Sequence, residues 1–169
     1  MASVIHGEDV DIVDTYKCLG TIFDSSLRFD INAEAIVKKG QQRTHLLRKL
    51  NPFNVSKPIL CTVYLSYIES LLTFSFVCWF GALSVKDKNS LGSVVKVCSK
   101  ITGVKLIDLN SLWKRRVLQK AVSIINSEHA LSNEFTLMTS GRRYLPPHRK
   151  TNRYSSSFIP SAIQLLNAE

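Results

Sequence analysis

Ile59 to Leu83 reads ILCTVYLSYIESLLTFSFVCWFGAL, and how this stretch is read decides the fold. It holds most of the large apolar side chains and a single charge, Glu69. A bilayer core about 30 Å thick takes roughly 20 apolar residues in a helix, so length alone admits a membrane span. A mid-span carboxylate argues against it, at about 2.5–3.5 kcal/mol on insertion scales. Thr62, Ser66, Glu69, Ser70 and Thr73 also recur three and four apart. They draw one polar stripe down an apolar cylinder, the pattern of a core helix with one edge near water. Lys57 precedes the stretch and Lys86, Asp87 and Lys88 follow it, so the flanking charge shows no sidedness. The expectation is a buried core helix, with a single-span membrane protein as the alternative.

Working outward, Val10–Phe23 alternates β-branched and aromatic residues around Gly20, predicting two short strands about a bend. Asp30 offers an N-cap for a helix from about Ile31 to Leu50, with Ile36, Gly40, Thr44, Leu47 and Leu50 on one face. A mid-helix glycine costs about 1 kcal/mol against alanine, so Gly40 implies close packing on a neighbour. Asn51-Pro52 ends this helix and Ser56 caps the central one, which ends by Gly81. Ser84 caps a helix from Val85 to about Thr102, with Leu91, Val94, Val95, Cys98 and Ile101 as its seam. Lys88, Lys96 and Lys100 face away, and Gly103 terminates it. Asn110 or Ser111 opens a further helix to about Asn126. Its inward residues are Leu112, Val117, Leu118, Ala121, Ile124 and Ile125; Lys114, Arg115, Arg116 and Lys120 crowd its exposed side.

Beyond Ser127 a loop leads to Phe135–Met138 and then to TSGRRYLPPHRKTNRYSSSF, which has no apolar period. It reads as an extended basic arm followed by a short helix from about Pro160 to Leu166. The expected fold is mainly α: a helical bundle around one long apolar helix, a short N-terminal β-hairpin, and a basic C-terminal arm ending in a short helix. Three parts follow: an end hairpin over residues 1–30, a bundle over 31–138, and the arm with its helix over 139–169.

The chain has 169 residues, 45% apolar and 21% charged, ordinary values for one globular domain. Its net charge of +9 is not ordinary and points to a polyanionic partner, nucleic acid first and an anionic membrane surface second. Cys18, Cys61, Cys78 and Cys98 have no zinc-ligand spacing and read as buried free thiols of a reducing compartment. MASVIHGEDVDIVD has no apolar run behind a basic start, so cytoplasm or nucleus is expected.

No phosphate-cradling glycine loop, His-Glu-x-x-His or Gly-x-Ser-x-Gly occurs. His6-Gly7-Glu8, with His45, His129 or His148 as a second histidine, is the nearest thing to an iron site, and it is a poor one. No metal or other cofactor is expected. Glu69 is read as paired with a lysine or arginine, or as marking the wet edge of the helix, rather than as a general acid or base. The positive signal lies in the cations. Phosphate contacts are assigned to Lys38, Lys39, Arg43, Lys96, Lys100, Lys114 and Arg115 on helices, and to Arg142, Arg143, Arg149, Lys150 and Arg153 in the arm. Tyr144 and Tyr154 are candidates for stacking on unpaired bases.

These residues also carry a resemblance. Tyr16-Lys17-Cys18-Leu19-Gly20-Thr21 looks like the strand that follows the catalytic palm in reverse transcriptases of non-LTR (LINE-type) retrotransposons. Lys38 to Arg43 with Leu47 to Leu50 is similar to the helix after it. Tyr67-Ile68-Glu69-Ser70 through Cys78-Trp79-Phe80-Gly81 resembles the apolar helix of the same elements. Val94 to Val104, Ser140 to Tyr144, Thr151 to Tyr154 and Ser157 to Ala162 continue the likeness in order. Cys18 stands where that family usually has an aromatic.

The resemblance implies the end of a palm plus a thumb-like region gripping RNA or an RNA–DNA duplex, with a missing palm as a further partner. The family's Ala-Asp-Asp box is absent, so the chain is not expected to polymerise alone. Two alternatives stand beside this non-catalytic remnant. One is a decayed fragment without function. The other rests on likeness of the apolar helix to sequences grouped by name with the N-terminal segment of an AlkB-like alkylated-nucleic-acid repair protein, with a dioxygenase or methyltransferase context. Since no credible iron triad or cofactor loop accompanies it, that grouping is read as an accident of naming.

Overall fold

The computed structural model describes residues 2–5, 8–148 and 151–168. Two antiparallel hairpins open the chain. Strand β1 (Ala2–Ile5) pairs with β2 (Glu8–Asp11), and β3 (Thr15–Cys18) pairs with β4 (Thr21–Asp24). The second is the hairpin expected about Gly20. Its two-residue turn puts both Leu19 (φ 47°) and Gly20 (φ 91°) in the left-handed region, as a tight hairpin of matching twist requires. The first was not expected, and it takes Val10 and Asp11 out of the predicted pair.

Helix α1 runs Asp30–Leu50, but Asp30 is not its cap. Phe29 occupies the cap position in a left-handed conformation and contributes no side-chain bond. Asp24 organises the approach instead. Its carboxylate accepts from the backbone N–H groups of Ser26, Arg28 and Phe29, each at 3.1 Å, and from the Ser26 hydroxyl. Burial pushes this carboxyl up, but the bonds from Ser26, Phe29 and Arg28 outweigh it and hold it at about 2. Asn32 ties the hairpin to the helix: its Oδ1 accepts from Ile22 N–H at 3.0 Å.

The central stretch is not one rod. Helix α2 (Lys57–Leu72) and helix α3 (Phe76–Ala82) meet at a 42° bend. Ser56 sits at the cap position of α2 but makes no side-chain bond. Within α2, Tyr64–Glu69 is a π-helical turn. Residues four apart drift about 40° per step in an ideal α-helix, and the wider turn cancels part of that drift. Leu60, Tyr64, Ile68 and Leu72 therefore stay on one buried line. The predicted polar stripe lies beside it as a ladder: Thr62, Ser66, Ser70 and Thr73 each donate to the carbonyl four residues back.

At the bend Ser75 takes φ 49°. Thr73 O keeps a bond from Phe76 N–H at 3.3 Å, and side chains from elsewhere reach the carbonyls of the bend. Trp79 Nε1 donates to Phe74 O at 2.8 Å, and Arg116 Nη1 donates to Thr73 O at 3.1 Å. No single helix among the described residues is long and apolar enough to cross a membrane; only the bent pair passes, by length and composition together.

Helix α4 (Val85–Thr102) starts at Ser84, whose Oγ accepts from Asp87 N–H at 3.2 Å, and ends at Gly103 with φ 64°. Helix α5 (Leu109–Ile125) is capped by Asp108, not Asn110 or Ser111; the aspartate accepts from Ser111 N–H at 3.0 Å. Gly40 lies where α1 crosses α4. A Cβ there would stand 3.2 Å from Val94 Cγ1 and 3.4 Å from Leu72 Cδ2, the close packing its mid-helix position implied. Tyr64, Ile68, Leu72, Phe76, Trp79 and Phe80 fill the main core against Ala33, Ile36 and Leu47 of α1 and Leu91, Val94 and Cys98 of α4. Cys98 is the one buried thiol; Cys61 is half-buried, and Cys18 and Cys78 are exposed, contrary to expectation.

The arm is not extended. After a short 3-10 turn at Ala130–Glu134, residues 136–145 double back, with Met138 N–H to Arg143 O at 2.7 Å and Leu145 N–H to Thr136 O at 2.8 Å. Asn167 clamps Tyr144 from both sides: its Oδ1 accepts from Tyr144 N–H at 2.8 Å and its Nδ2 donates to Tyr144 O at 3.0 Å. Helix α6 (Asn152–Ser155) is capped by Thr151, and α7 (Phe158–Leu166) begins two residues before Pro160. Phe135, Ala162 and Ile163 pack on Val117, Ala121 and Ile124 as a second core, and Trp113 touches both cores.

Candidate nucleic-acid interface

The assigned cations do not form one group. Lys39, Gln42, Arg43, Leu46 and Lys49 recur at helical spacing on α1, and this stripe faces Tyr67 and Leu71 of α2 across an open crease of about 540 Å³. His45 lines it too. The crease continues into a second hollow of about 420 Å³ beneath the β3–β4 turn, since Lys39, Arg43 and Leu71 wall both. Lys17 and Phe74 belong to that second part. Among the described residues no carboxylate lines either hollow. Among the described residues the ion pairs are Arg28–Asp30 and Arg116–Glu69, so Lys17, Lys39 and Lys49 keep their charge for a ligand.

Arg43 is already partly engaged. Its guanidinium donates to Tyr67 O and lies over the Tyr67 ring, 4.5 Å from the centroid. A cation held on an aromatic face gains about 0.5–1 kcal/mol at an exposed site. The consequence is order: Arg43 and Tyr67 form a fixed step in the crease, flanked by the exposed Lys39 and Lys49.

Of the other assigned residues, Lys38 is exposed on α1 outside the crease. Lys96 and Lys100 stand on the outer face of α4, and Lys114 and Arg115 on α5. Arg115 lines a separate hollow with Lys105. Arg142 and Arg143 are exposed at the tip of the folded-back arm, and Arg153 and Tyr154 are exposed on α6. Arg149 and Lys150 lie outside the described residues, as do His6 and Gly7. Tyr144 is not a free stacking platform: its ring packs edge-on against Phe135, 6.2 Å between centroids, while Asn167 holds its backbone. Lys88 turns inward rather than away. It donates to Gly81 O at 3.3 Å above the Phe80 ring, and burial pushes its pKa down.

Arg116 was expected on the exposed side of α5 and instead reaches Glu69, 4.0 Å away. The reading of Glu69 as a paired carboxylate therefore holds. Its side chain is only 15% exposed, and the pair joins α5 to the end of α2. Next to it the buried Tyr64 hydroxyl has no hydrogen-bond partner. Burial pushes that phenol up, and the neighbouring Glu69 carboxylate pushes it in the same direction. Among the described residues no three His, Cys, Asp or Glu side chains converge as a metal-ligand set.

Lys17, Lys49, His45, Tyr67 and Phe74 were absent from the sequence-based assignment. The stripe of Lys39, Gln42, Arg43, Leu46 and Lys49 is legible from its three-and-four spacing. That Tyr67 and Phe74 face it is not, because two helices and a hairpin must first be brought together.

A family model described as alkylated DNA repair protein alkB homolog 8, N-terminal, matches residues 29–70. The match runs from the start of α1 almost to the end of α2 and so takes in the α1 stripe and Tyr67 but not Leu71, Phe74 or Lys17. No curated protein matches the chain. No solved structure matches it either.

Proposed function

We propose that this chain is a nucleic-acid-binding helical module, not catalytic by itself, that lays a phosphate backbone in the α1–α2 crease. The observation that carries the reading is the crease itself: Lys39, Arg43, Lys49 and Lys17 along one continuous hollow, Tyr67 and Phe74 beside them, and no carboxylate among the described residues of its walls. Such a lining attracts polyanions and offers aromatic faces to bases, whereas the mixed-charge hollow between the starts of α1 and α4 does neither. The residues that match the repair-protein segment include Lys39, Arg43, Lys49 and Tyr67 of the crease, though not Lys17, Leu71 or Phe74, and this overlap supports a nucleic-acid context and kinship of this helix pair with that segment. The dioxygenase or methyltransferase context is no part of the proposal.

A retroelement thumb remnant is the second reading. The observation favouring it is the β3–β4 hairpin, which joins α1 through Asn32 yet leaves Ile12, Val13, Tyr16 and Leu19 exposed, Leu19 to 88%. Apolar residues so placed fit a palm packed against that end.

The test is fluorescence anisotropy with a labelled single strand and a labelled RNA–DNA duplex over a salt series. Binding weakens linearly in log affinity against log salt, and Lys39→Ala and Lys49→Ala each reduce the slope by about one. Lys96→Ala changes it less. Salt-insensitive binding, or equal effects from all three variants, refutes the crease as the path. Preference for the duplex over the single strand favours the thumb reading.

A further inference from the structure

The hollow beneath the β3–β4 turn contains a feature that backbone binding does not use. Asn32 is 1% exposed, and its Oδ1 is occupied by Ile22 N–H. Its Nδ2 is buried and has no partner. An unpaired donor in a buried site is costly; Asn32 is among the residues lining the hollow, and a side-chain shift that turns Nδ2 into it lets an acceptor of the ligand satisfy the donor.

That hollow has two halves. Lys17, Lys39 and Arg43 supply positive charge. Leu19 and Phe74, the latter half exposed, supply an apolar wall, and the Phe74 ring closes against the turn: a Cβ on Gly20 would lie 3.7 Å from Phe74 Cε1. A volume of about 420 Å³ is of the size that takes a single small ligand.

We propose that this hollow is a pocket for one nucleotide of the bound strand, its phosphate at the cations, its base against Phe74, and a base acceptor on Asn32 Nδ2. The inference rests on the strand-binding reading for the kind of ligand, but it adds a hydrogen bond to a base edge where the crease otherwise offers phosphate contacts and stacking faces. An anion alone satisfies the lysines and leaves both Asn32 and Phe74 unused.

The experiment uses the intact chain, labelled with ¹⁵N, titrated separately with adenosine 5′-monophosphate, uridine 5′-monophosphate and inorganic phosphate. The expected result is that nucleotides shift the Asn32 side-chain amide signal and bind about tenfold more tightly than phosphate, which leaves that signal in place. Phe74→Leu, at an exposed position where folding tolerates it, weakens nucleotide binding about tenfold and leaves phosphate binding unchanged. Equal affinity for nucleotide and phosphate, an unmoved Asn32 amide, or an unaffected Phe74→Leu variant overturns the pocket. Failure of the two readings is separable: strand binding with a normal salt slope but a silent Asn32 amide removes the pocket and keeps the crease.

Discussion

Replacing Gly81 by alanine tests how the C-terminal segment is seated. Gly81 lies in the last turn of α3 and is not among the glycines with positive φ, so alanine suits its backbone. The added methyl, however, collides with the Ser156 carbonyl oxygen and stands 3.0 Å from Trp113 Cζ2. One obstacle is backbone and the other a packed ring, so neither gives way as the tip of a flexible side chain does. Overpacking of this kind costs about 1–3 kcal/mol, which in a chain of this length is a fall in Tm of roughly 2–12 °C. Gly92 supplies the internal control. It sits inside α4 with nothing within 4 Å of a built Cβ, so alanine there gains helix propensity without a clash. That gain is about 1 kcal/mol, a rise in Tm of roughly 2–4 °C. Thermal melts by circular dichroism, with limited proteolysis of residues 151–168, separate the two. Should Gly81→Ala melt at or above the parent temperature without faster cleavage of that segment, the seating of α6 against α3 is wrong.

Three further outcomes follow from the same geometry. Asp24 is held at about 2 when folded against an ordinary 3.8, so the stability it contributes is present above pH 4 and lost as pH falls from about 4 towards 2. Melting the Asp24→Asn variant across that window should give a flatter acid limb than the parent. Tyr64→Phe removes a buried hydroxyl without a partner, so chemical denaturation should show unchanged or higher stability, up to about 1 kcal/mol, where a loss of that size would place an unseen partner on the hydroxyl. Arg116→Ala leaves Glu69 and the Thr73 carbonyl without their cation and should cost about 1–2 kcal/mol by the same assay, discounted because the guanidinium is partly exposed.

The seam of α4, the tight crossing at Gly40 and the buried face of α2 were legible because each is a repeat within one helix. What escaped was non-local. The sequence carries no signal of a break at Thr73–Ser75, and the bend there is held by Arg116 and Trp79, whose side chains donate to the Thr73 and Phe74 carbonyls. Asp30 has the composition of a cap and stands at the right place, but Asp24, six residues earlier, already holds the N–H groups leading into the helix. The arm read as extended because the residue that seats its turn is Asn167, more than twenty residues downstream. For the crease, one wall could be read from the charge stripe of α1; the other, Tyr67 and Phe74, needed the helices and hairpin assembled.

Asn167 grips Tyr144 like a staple driven through the far end of a folded page. Clipping the chain just before that residue would release the Arg142–Arg143 tip together with Tyr144, whereas clipping just after it should leave the tip fastened. Two cuts only a residue or so apart would thus yield one protein with a stowed basic turn and one with it loose.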